Sequence, residues 1–353
     1  MKADGLNQGF MSDICVSKEK FDSVPQNFLL VLIGKQSSLG FVSDRLALID
    51  PAKALAKTGA GTPYAQAEFY VGLQFAKGLQ GLAKDYKQAA EHWQISAQQG
   101  DADAQYLLGV LYLSGDGVKK DMQQAASWFE RSATLGNKDA QRQIGIMYMK
   151  GEGVDKNPEE AERWVHAAAD QGDVKSELAL GALISKDNPQ NSDNGMSWIR
   201  KAAESGDPKA QTILGLSYLG GFKGSPKDFT EAAKWLKPAA DKENPQAQEA
   251  LGVMYLRGDG VEQDYRQAAD LLEKAANQGQ NKAADILAHL YVAGKGEPQD
   301  FSEAEKWFHK AADQGNADAQ AGLGLLYASS KSGHLNYAEA ATWLKKAADQ
   351  ENA

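Results

Sequence analysis

Histidine is the side chain in this sequence best suited to catalysis or metal binding near neutral pH. A nucleophilic or metal site also needs convergent partners, as in GxSxG, HExxH, Walker-type or CxxC motifs, and none of these motifs is present. The sequence therefore predicts no catalytic residue, no metal site and no cofactor. The five histidines occupy unrelated positions along the chain: His92, His166, His289, His309 and His334.

Calcium is a second chemical possibility, because Gly-Asp-Gly occurs at 115–117 and at 258–260. A calcium loop needs alternating Asp or Asn ligands and a distal Glu, and these turns lack that pattern. They are interpreted as tight turns, in which a positive φ is cheap only for glycine.

The composition is that of a folded protein, with 353 residues, 42% of them hydrophobic and 24% charged. The net charge of -9 argues against a nucleic-acid-binding protein, and the single Cys15 allows no internal disulfide. No apolar run approaches the ~20 residues that span a bilayer. The longest, 28–33, is expected to be a core strand or short helix. No signal peptide is visible, which leaves a cytoplasmic protein, or a periplasmic or secreted one if a signal was removed.

Nearly the same segment returns along the chain, for example as LYLSGDGVKKDMQQAASWFERSATLG at 111–136 and VMYLRGDGVEQDYRQAADLLEKAANQG at 253–279. Alignment on LG-x-x-Y gives eight units spaced by 34 to 37 residues, a period typical of solenoids built from stacked supersecondary units. The expected repeats are 64–100, 101–136, 137–172, 173–206, 207–243, 244–279, 280–315 and 316–353.

Each unit is predicted to contain two helices. The first carries small and apolar residues at helical spacing and ends at the Gly-x-Gly turn. The second opens at Asp or Asn with Gln or Glu three residues later, as in Asp121 and Gln124, which resembles a reciprocal capping box. A large aromatic ring is expected to fill the gap between neighbouring units. Six tryptophans share one position in the second helix: Trp128, Trp164, Trp198, Trp235, Trp307 and Trp343.

The pattern A-Q-x-x-LG-x-x-Y-x-x-G-x-GV-x-x-D-x-x-x-A-x-x-W-x-x-x-AA-x-x-G resembles the Sel1-like repeat family, a relative of the tetratricopeptide repeats, over about residues 64–353. The resemblance implies an all-α fold, an α/α right-handed superhelical solenoid of about eight helix-turn-helix repeats. It also implies an adaptor or scaffold for protein complexes. In bacteria such proteins are often linked to signalling, envelope processes or host-cell interaction.

By analogy with tetratricopeptide repeats, the residues of the first helix that avoid the packing positions are expected to face a concave groove. Its apolar positions are interpreted either as contact surface or as core between helices. Cationic residues close several first helices, so a protein or peptide partner with acidic edges would suit the groove. The candidate partner-binding residues are Phe69, Lys77, Tyr106, Arg142, Lys150, Lys186, Glu249, Arg257 and Asp285.

Some segments depart from the repeat pattern. Residues 1–63 are expected to be partly helical or flexible and to cap the first unit. Unit four lacks the Gly-x-Gly turn, and unit five is one residue longer than the usual unit. These departures indicate either a functional bend or a tolerated change in loop length. The chain is expected to be a monomer, with a dimer possible through the C-terminal repeat.

Two classes of function follow. The first is a protein-interaction scaffold without enzymatic activity, which the repeats favour because they explain most recurring positions without chemistry. The alternative is an envelope-associated hydrolase or a small-molecule (β-lactam-like) binder with a site between units four and five. The β-lactam-related branch of the family carries a disulfide in most repeats, and this chain has a single cysteine.

Overall fold

The computed structural model describes residues 63–79, 81–187, 192–221, 227–330, 332–333 and 335–351. Within these ranges there are sixteen α-helices and no strands. Helices α1 to α16 span Pro63–Lys77, Tyr86–Gln98, Ala102–Ser114, Met122–Thr134, Lys138–Lys150, Pro158–Asp170, Val174–Asp187, Ser192–Glu204, Pro208–Gly220, Phe229–Asp241, Pro245–Arg257, Tyr265–Asn277, Asn281–Ala293, Phe301–Ala312, Ala317–Ala328 and Tyr337–Glu351.

The helices form eight consecutive pairs, so each repeat consists of one odd-numbered and one even-numbered helix. The described chain divides into two compact bodies, and the division falls inside α8, after Lys201. The N-terminal body has an apolar core that includes Leu107 and Phe129, and the C-terminal body has one that includes Leu287 and Phe308. The odd helix of a repeat packs on its own even partner, and α3, α5, α7, α11, α13 and α15 also pack on the even helix of the repeat before. The all-α solenoid architecture is therefore confirmed.

The glycine of the LG-x-x-Y pattern marks the closest approach between the two helices of a repeat. A Cβ at Gly109 would lie 2.7 Å from the ring of Phe129, and one at Gly215 would lie 2.6 Å from Leu236. The side chain that fills this gap follows the tryptophan position by one residue, since Phe129 comes after Trp128. The tryptophan ring itself lies beside a cation, with the Arg131 guanidinium 4.8 Å from the Trp128 ring centre.

The even helices whose caps the structure describes begin as predicted, but the second half of the expected capping box is replaced. The carboxylate of Asp121 accepts the N–H groups of Gln123 and Gln124, as an N-cap should. The N–H of Asp121 does not bond the Gln124 side chain; it donates to the carbonyl of Tyr112, at 2.9 Å. The same bond recurs in seven repeats, with the carbonyl of Phe75 as the acceptor in the first of them. The tyrosine of LG-x-x-Y therefore uses its backbone to close the turn.

The two glycines of the Gly-x-Gly turn have different structural roles. Gly151 closes α5 with a φ of 73°, the left-handed conformation that favours glycine. Gly153 also has a positive φ, and a Cβ there would collide with the carbonyl oxygen of Met122, on the preceding even helix. Gly260 meets the carbonyl of Phe229 in the same way. The second glycine is thus required by backbone contact between consecutive repeats.

The glutamine of the Ala-Gln pattern links successive repeats by capping a helix end. The side-chain N–H of Gln141 donates to the carbonyl of Ala133 in the last turn of α4, at 3.1 Å. Its side-chain oxygen accepts from Gln171, at the end of α6, at 2.8 Å. Both arms recur at Gln248 and Gln320, which accept from Gln278 and Gln350. We call this arrangement the glutamine bridge.

The glutamine bridge is incomplete in the second repeat, which leads to a stability prediction. Gln105 caps α2, but its side-chain oxygen is buried without a hydrogen-bond partner, because Leu135 stands where Gln171 stands in the next repeat. Leu135→Gln should supply the missing donor and raise the free energy of unfolding by about 1 kcal/mol. Urea denaturation followed by circular dichroism measures the change. Leu135→Ser, which is polar but too short to reach Gln105, should give no such gain.

Several predicted features lie outside the described residues. These are residues 1–62 with their expected cap, the missing turn of unit four at 188–191 and the extended turn of unit five at 222–226. In the described ranges, every helix is too short or too polar to cross a membrane.

Candidate partner-binding face

The odd-helix face is the surface that the odd-numbered helices of one body present. The nine residues predicted to bind a partner lie in two rows along the odd helices, six of them in the N-terminal body and three in the C-terminal body. One row lies in the middle of the helices, two positions before the leucine of LG-x-x-Y. The other lies at the last residue of α1, α5 and α11 and at the last residue but one of α7. The Lys186 side chain falls outside the described part of the structure.

The middle row of the N-terminal body is packed rather than open. Phe69 is 5% exposed and Tyr106 is 7% exposed. The Tyr106 ring contacts the Phe129 ring, with centres 5.8 Å apart. The rings of Phe69 and Tyr106 therefore present little surface to a partner. Their role in binding stays a prediction.

Arg142 occupies the same position in α5 and is held by two carboxylates. Its guanidinium donates to Asp139, one turn earlier, and to Asp173, the residue before α7. Burial alone would lower the pKa of Arg142, but the charges of Asp173 and Asp139 outweigh it and raise the pKa above its ordinary value. Asp173 also accepts the N–H of Ser176 at 2.9 Å. Arg142 therefore joins two repeats through a buried ion pair.

In the C-terminal body the middle row carries carboxylates instead. Burial raises the pKa of Glu249 on α11, although the charge of Lys282 opposes the shift. Burial also raises the pKa of Asp285 on α13 to about 6; the neighbouring Asp318 adds to the shift, and His289 and Lys282 reduce it. One carboxylate oxygen of Asp285 is buried without a hydrogen bond, and it lies 3.5 Å from the Nδ1 atom of His289.

The raised pKa of Asp285 gives a pH-dependent stability. Because its pKa is about 6 in the fold and 3.8 ordinarily, protonation stabilises the fold fully below pH ~3.8, and this contribution is lost as the pH rises through ~6. Above that range the buried carboxylate is ionised, which lowers the stability of the fold. Asp318 adds to this cost, and His289 and Lys282 reduce it. Asp285→Asn should raise the free energy of unfolding at pH ~7.5 by on the order of 2 kcal/mol, and by far less at pH ~4. Denaturation at both values measures the difference, and an equal effect at both would contradict it.

The last-residue row is more accessible to solvent. Lys150 and Arg257, the final residues of α5 and α11, are exposed, and Lys77 at the end of α1 is half-buried. Met149, directly before Lys150, is half-buried. Lys150 lies 3.8 Å from the carboxylate of Glu152, a long contact between exposed groups that contributes little to stability. This row can offer cationic and apolar contacts to another molecule.

Sequence reasoning missed an ion pair between a buried carboxylate on α7 and an exposed lysine on α8. Glu177 on α7 is 1% exposed, and its carboxylate lies 2.9 Å from the ammonium group of Lys201. Its second oxygen has no hydrogen-bond partner. Glu177 directly precedes the middle-row position of its repeat, and the pairing with a residue 24 positions later leaves no local pattern to detect.

No group of three or more His, Cys, Asp or Glu side chains in the described residues could hold a metal ion. A surface depression is lined by residues of α6 alone, such as Glu159, Arg163 and Asp170. It is an open helix surface.

The fold and these contacts define a class of protein, the α/α repeat proteins built from stacked helix pairs. The Sel1 repeat model matches residues 65–101, 102–137, 138–173, 175–207, 208–244, 245–280, 281–316 and 317–352. The chain belongs to the Sel1 repeat family. Sel1 repeat proteins generally mediate protein–protein interactions and are generally non-enzymatic.

Two solved structures resemble the chain at about 30% identity. The first is c5321, a protective antigen present in uropathogenic Escherichia coli strains and displaying an SLR fold, with 30% identity, a TM-score of 0.77 and coverage of 86% of this chain. This chain spans 64% of the length of that protein. The second is a Sel1 repeat protein from Oxalobacter formigenes, with 31% identity, a TM-score of 0.63 and coverage of 93% of this chain and 91% of the other. A comparison with curated proteins finds no match.

Proposed function

We propose that the chain is a protein-interaction scaffold that binds a partner protein or peptide on its odd-helix faces, without a catalytic step. The observation that carries the proposal is the last-residue row, where exposed Lys150 and Arg257 stand at the ends of odd helices beside partly buried apolar side chains. Because Lys150 and Arg257 are exposed to solvent, they can contact another molecule without disturbing the packing between repeats.

The chemistry of the row favours a partner with acidic edges. Cations on a rigid helix end attract carboxylates and orient them, and neighbouring apolar side chains such as Met149 add contact area. We propose that the scaffold serves bacterial signalling, envelope processes or host interaction, the settings in which Sel1-like proteins often act.

The test is capture of partners from bacterial and host-cell lysates, read by quantitative mass spectrometry. The variant is Lys150→Glu/Arg257→Glu, which reverses two exposed charges and leaves the buried core intact. Tyr106 and Arg142 are unsuitable, because both are buried and their loss would damage packing. We expect the variant to lose at least tenfold of the specifically captured partner.

A matched control reverses two exposed charges on even helices, in Lys237→Glu/Lys345→Glu. This control should capture the partner as the unaltered chain does. Loss of the partner by the control and its retention by the odd-helix variant would place binding elsewhere and overturn the proposal. Absence of any specifically captured protein would also count against it.

We further propose that the chain is a monomer. If two copies associate, we propose that the last repeat forms the contact. Tyr337 is 70% exposed and Leu344 is 39% exposed, whereas Leu272 and Phe308, at the position of Leu344 in earlier repeats, are at most 2% exposed. Light scattering at increasing concentration tests this. A dimer that persists in Tyr337→Ser/Leu344→Ser would contradict the assigned contact.

A further inference from the structure

Glu177 occupies the position of the bridging glutamine in its repeat. Gln105, Gln141 and Gln211 each donate to the carbonyl eight residues earlier, in the last turn of the preceding even helix. The residue eight positions before Glu177 is Ala169, at the end of α6. An ionised carboxylate has no N–H to donate, so Glu177 cannot cap this helix end as a glutamine does.

Lys201 supplies the missing donor from α8. Its ammonium group lies 2.9 Å from the carboxylate of Glu177 and donates to the carbonyl of Ala169 at 3.3 Å. The same ammonium group lies 4.7 Å from the centre of the Trp198 ring. One cation therefore joins the end of α6 to α7 and α8, where the other repeats named above use a neutral amide. We call this arrangement the lysine bridge.

The lysine bridge depends on charge, which the glutamine bridge does not. Glu177 is 1% exposed, and a buried carboxylate that loses its cation strongly destabilises a fold. The other polar contact at this place is also ionic, because Asp173, the residue before α7, is paired with Arg142. The start of α7 is therefore held by two ion pairs, one with α5 and one with α8.

The lysine is the accessible member of its ion pair. The Lys201 side chain is 46% exposed, whereas the Glu177 side chain is 1% exposed. A reagent in solution can therefore reach this lysine while the repeats stay folded. Acylation of a lysine removes its positive charge and its salt-bridge donor, whereas methylation keeps the charge.

We propose that Lys201 is a modification site, at which acylation opens the lysine bridge and loosens the start of α7. The deprotonated ε-amine attacks the acyl carbon of an acyl thioester. The nitrogen–carbon bond forms, the carbon–sulfur bond breaks, and the thiol leaves with the proton that the nitrogen loses. The amide product keeps one N–H and no charge, so it cannot serve both the carboxylate of Glu177 and the carbonyl of Ala169.

The test places N-acetyl-lysine at position 201 of the full chain by amber suppression and follows hydrogen exchange by mass spectrometry. We expect the amides in the first two turns of α7 to exchange at least about tenfold faster than in the unmodified chain. N-acetyl-lysine at position 234 is the matched control. Lys234 also lies beside a tryptophan ring and a carboxylate, but that carboxylate, Glu231, is 33% exposed. The control should change exchange in α10 less than about twofold.

Glu177→Gln separates the loss of charge from the added bulk of the acyl group. This substitution removes the buried carboxylate and restores the residue that bridges other repeats, so the fold no longer needs the cation. In this variant, N-acetyl-lysine at position 201 should change exchange in α7 less than about twofold. A tenfold effect that persists in Glu177→Gln would show that the acyl group acts through its bulk, and it would overturn the proposal.

Reaction of the folded chain with acetyl-CoA tests whether the site can be modified. Peptide mass spectrometry follows the acetylation of each lysine, and Lys234 is the internal reference. We expect Lys201 to be acetylated at a rate within tenfold of that of Lys234, since both are exposed lysines paired with one carboxylate. The proposal is wrong if Lys201 stays unmodified while Lys234 reacts, or if acetylation at both positions changes exchange equally. Neither measurement involves a partner, so the scaffold function is judged by its own test.

Discussion

Gly153→Ala is expected to lower the free energy of unfolding by about 2–5 kcal/mol. Two costs act together. Alanine at a φ of 76° costs about 1–2 kcal/mol, because its Cβ approaches the following carbonyl. The new methyl group would also collide with the carbonyl oxygen of Met122, and moving a packed backbone aside costs a further ~1–3 kcal/mol. Urea denaturation followed by circular dichroism gives the combined value.

Gly172→Ala is the matched control for this prediction. Gly172 has a φ of 73°, and a Cβ there would meet nothing within 4 Å, so only the cost of the left-handed conformation remains. The control should lose about 1–2 kcal/mol. Equal losses in the two variants would mean that contact between repeats at Gly153 contributes nothing.

Arg142→Met should be comparably damaging, with a loss of about 3–5 kcal/mol. The substitution keeps the length and apolar bulk of the side chain but leaves Asp173, which is 8% exposed, as a buried carboxylate without its cation. Arg163→Met removes an ion pair with Glu160 from an exposed surface and should lose no more than about 1 kcal/mol. Both values come from the same denaturation measurement.

A double variant tests whether the loss in Arg142→Met arises from the unpaired charge. Asn at position 173 can still accept the N–H of Ser176, so Asp173→Asn preserves the cap and removes the charge. Arg142→Met/Asp173→Asn should therefore be more stable than the sum of the single losses predicts. Simple additivity would indicate that Arg142 stabilises the fold through packing alone.

Local features of the fold could be predicted from the sequence because they depend on a few neighbouring residues. The N-cap at Asp121 and the left-handed glycine at Gly151 follow from the conformational preferences of single residues. The bond from Asp121 to the Tyr112 carbonyl could not be foreseen, because it depends on where the turn places two backbone groups. The same holds for the contact of Gly153 with Met122.

The candidate site was harder to predict because a position can vary between repeats for two reasons: contact with a partner, or pairing with a nearby residue of the same chain. The middle-row position changes from Tyr106 to Arg142 to Asp285, which suggested a surface that binds a specific partner. In the N-terminal body the variation instead reflects local pairing, with an aromatic ring at Tyr106 and carboxylates at Arg142. Asp139, one turn before Arg142, was a usable signal, since opposite charges three residues apart on a helix are neighbours.

The glutamine bridge has a consequence for how the chain unfolds. Gln141 caps α4 of the repeat before it and accepts from Gln171 at the end of its own repeat, so the departure of one repeat leaves a helix end of its neighbour without a cap. Unfolding is therefore costly to start in the interior of a body and should proceed inward from an end, one repeat at a time.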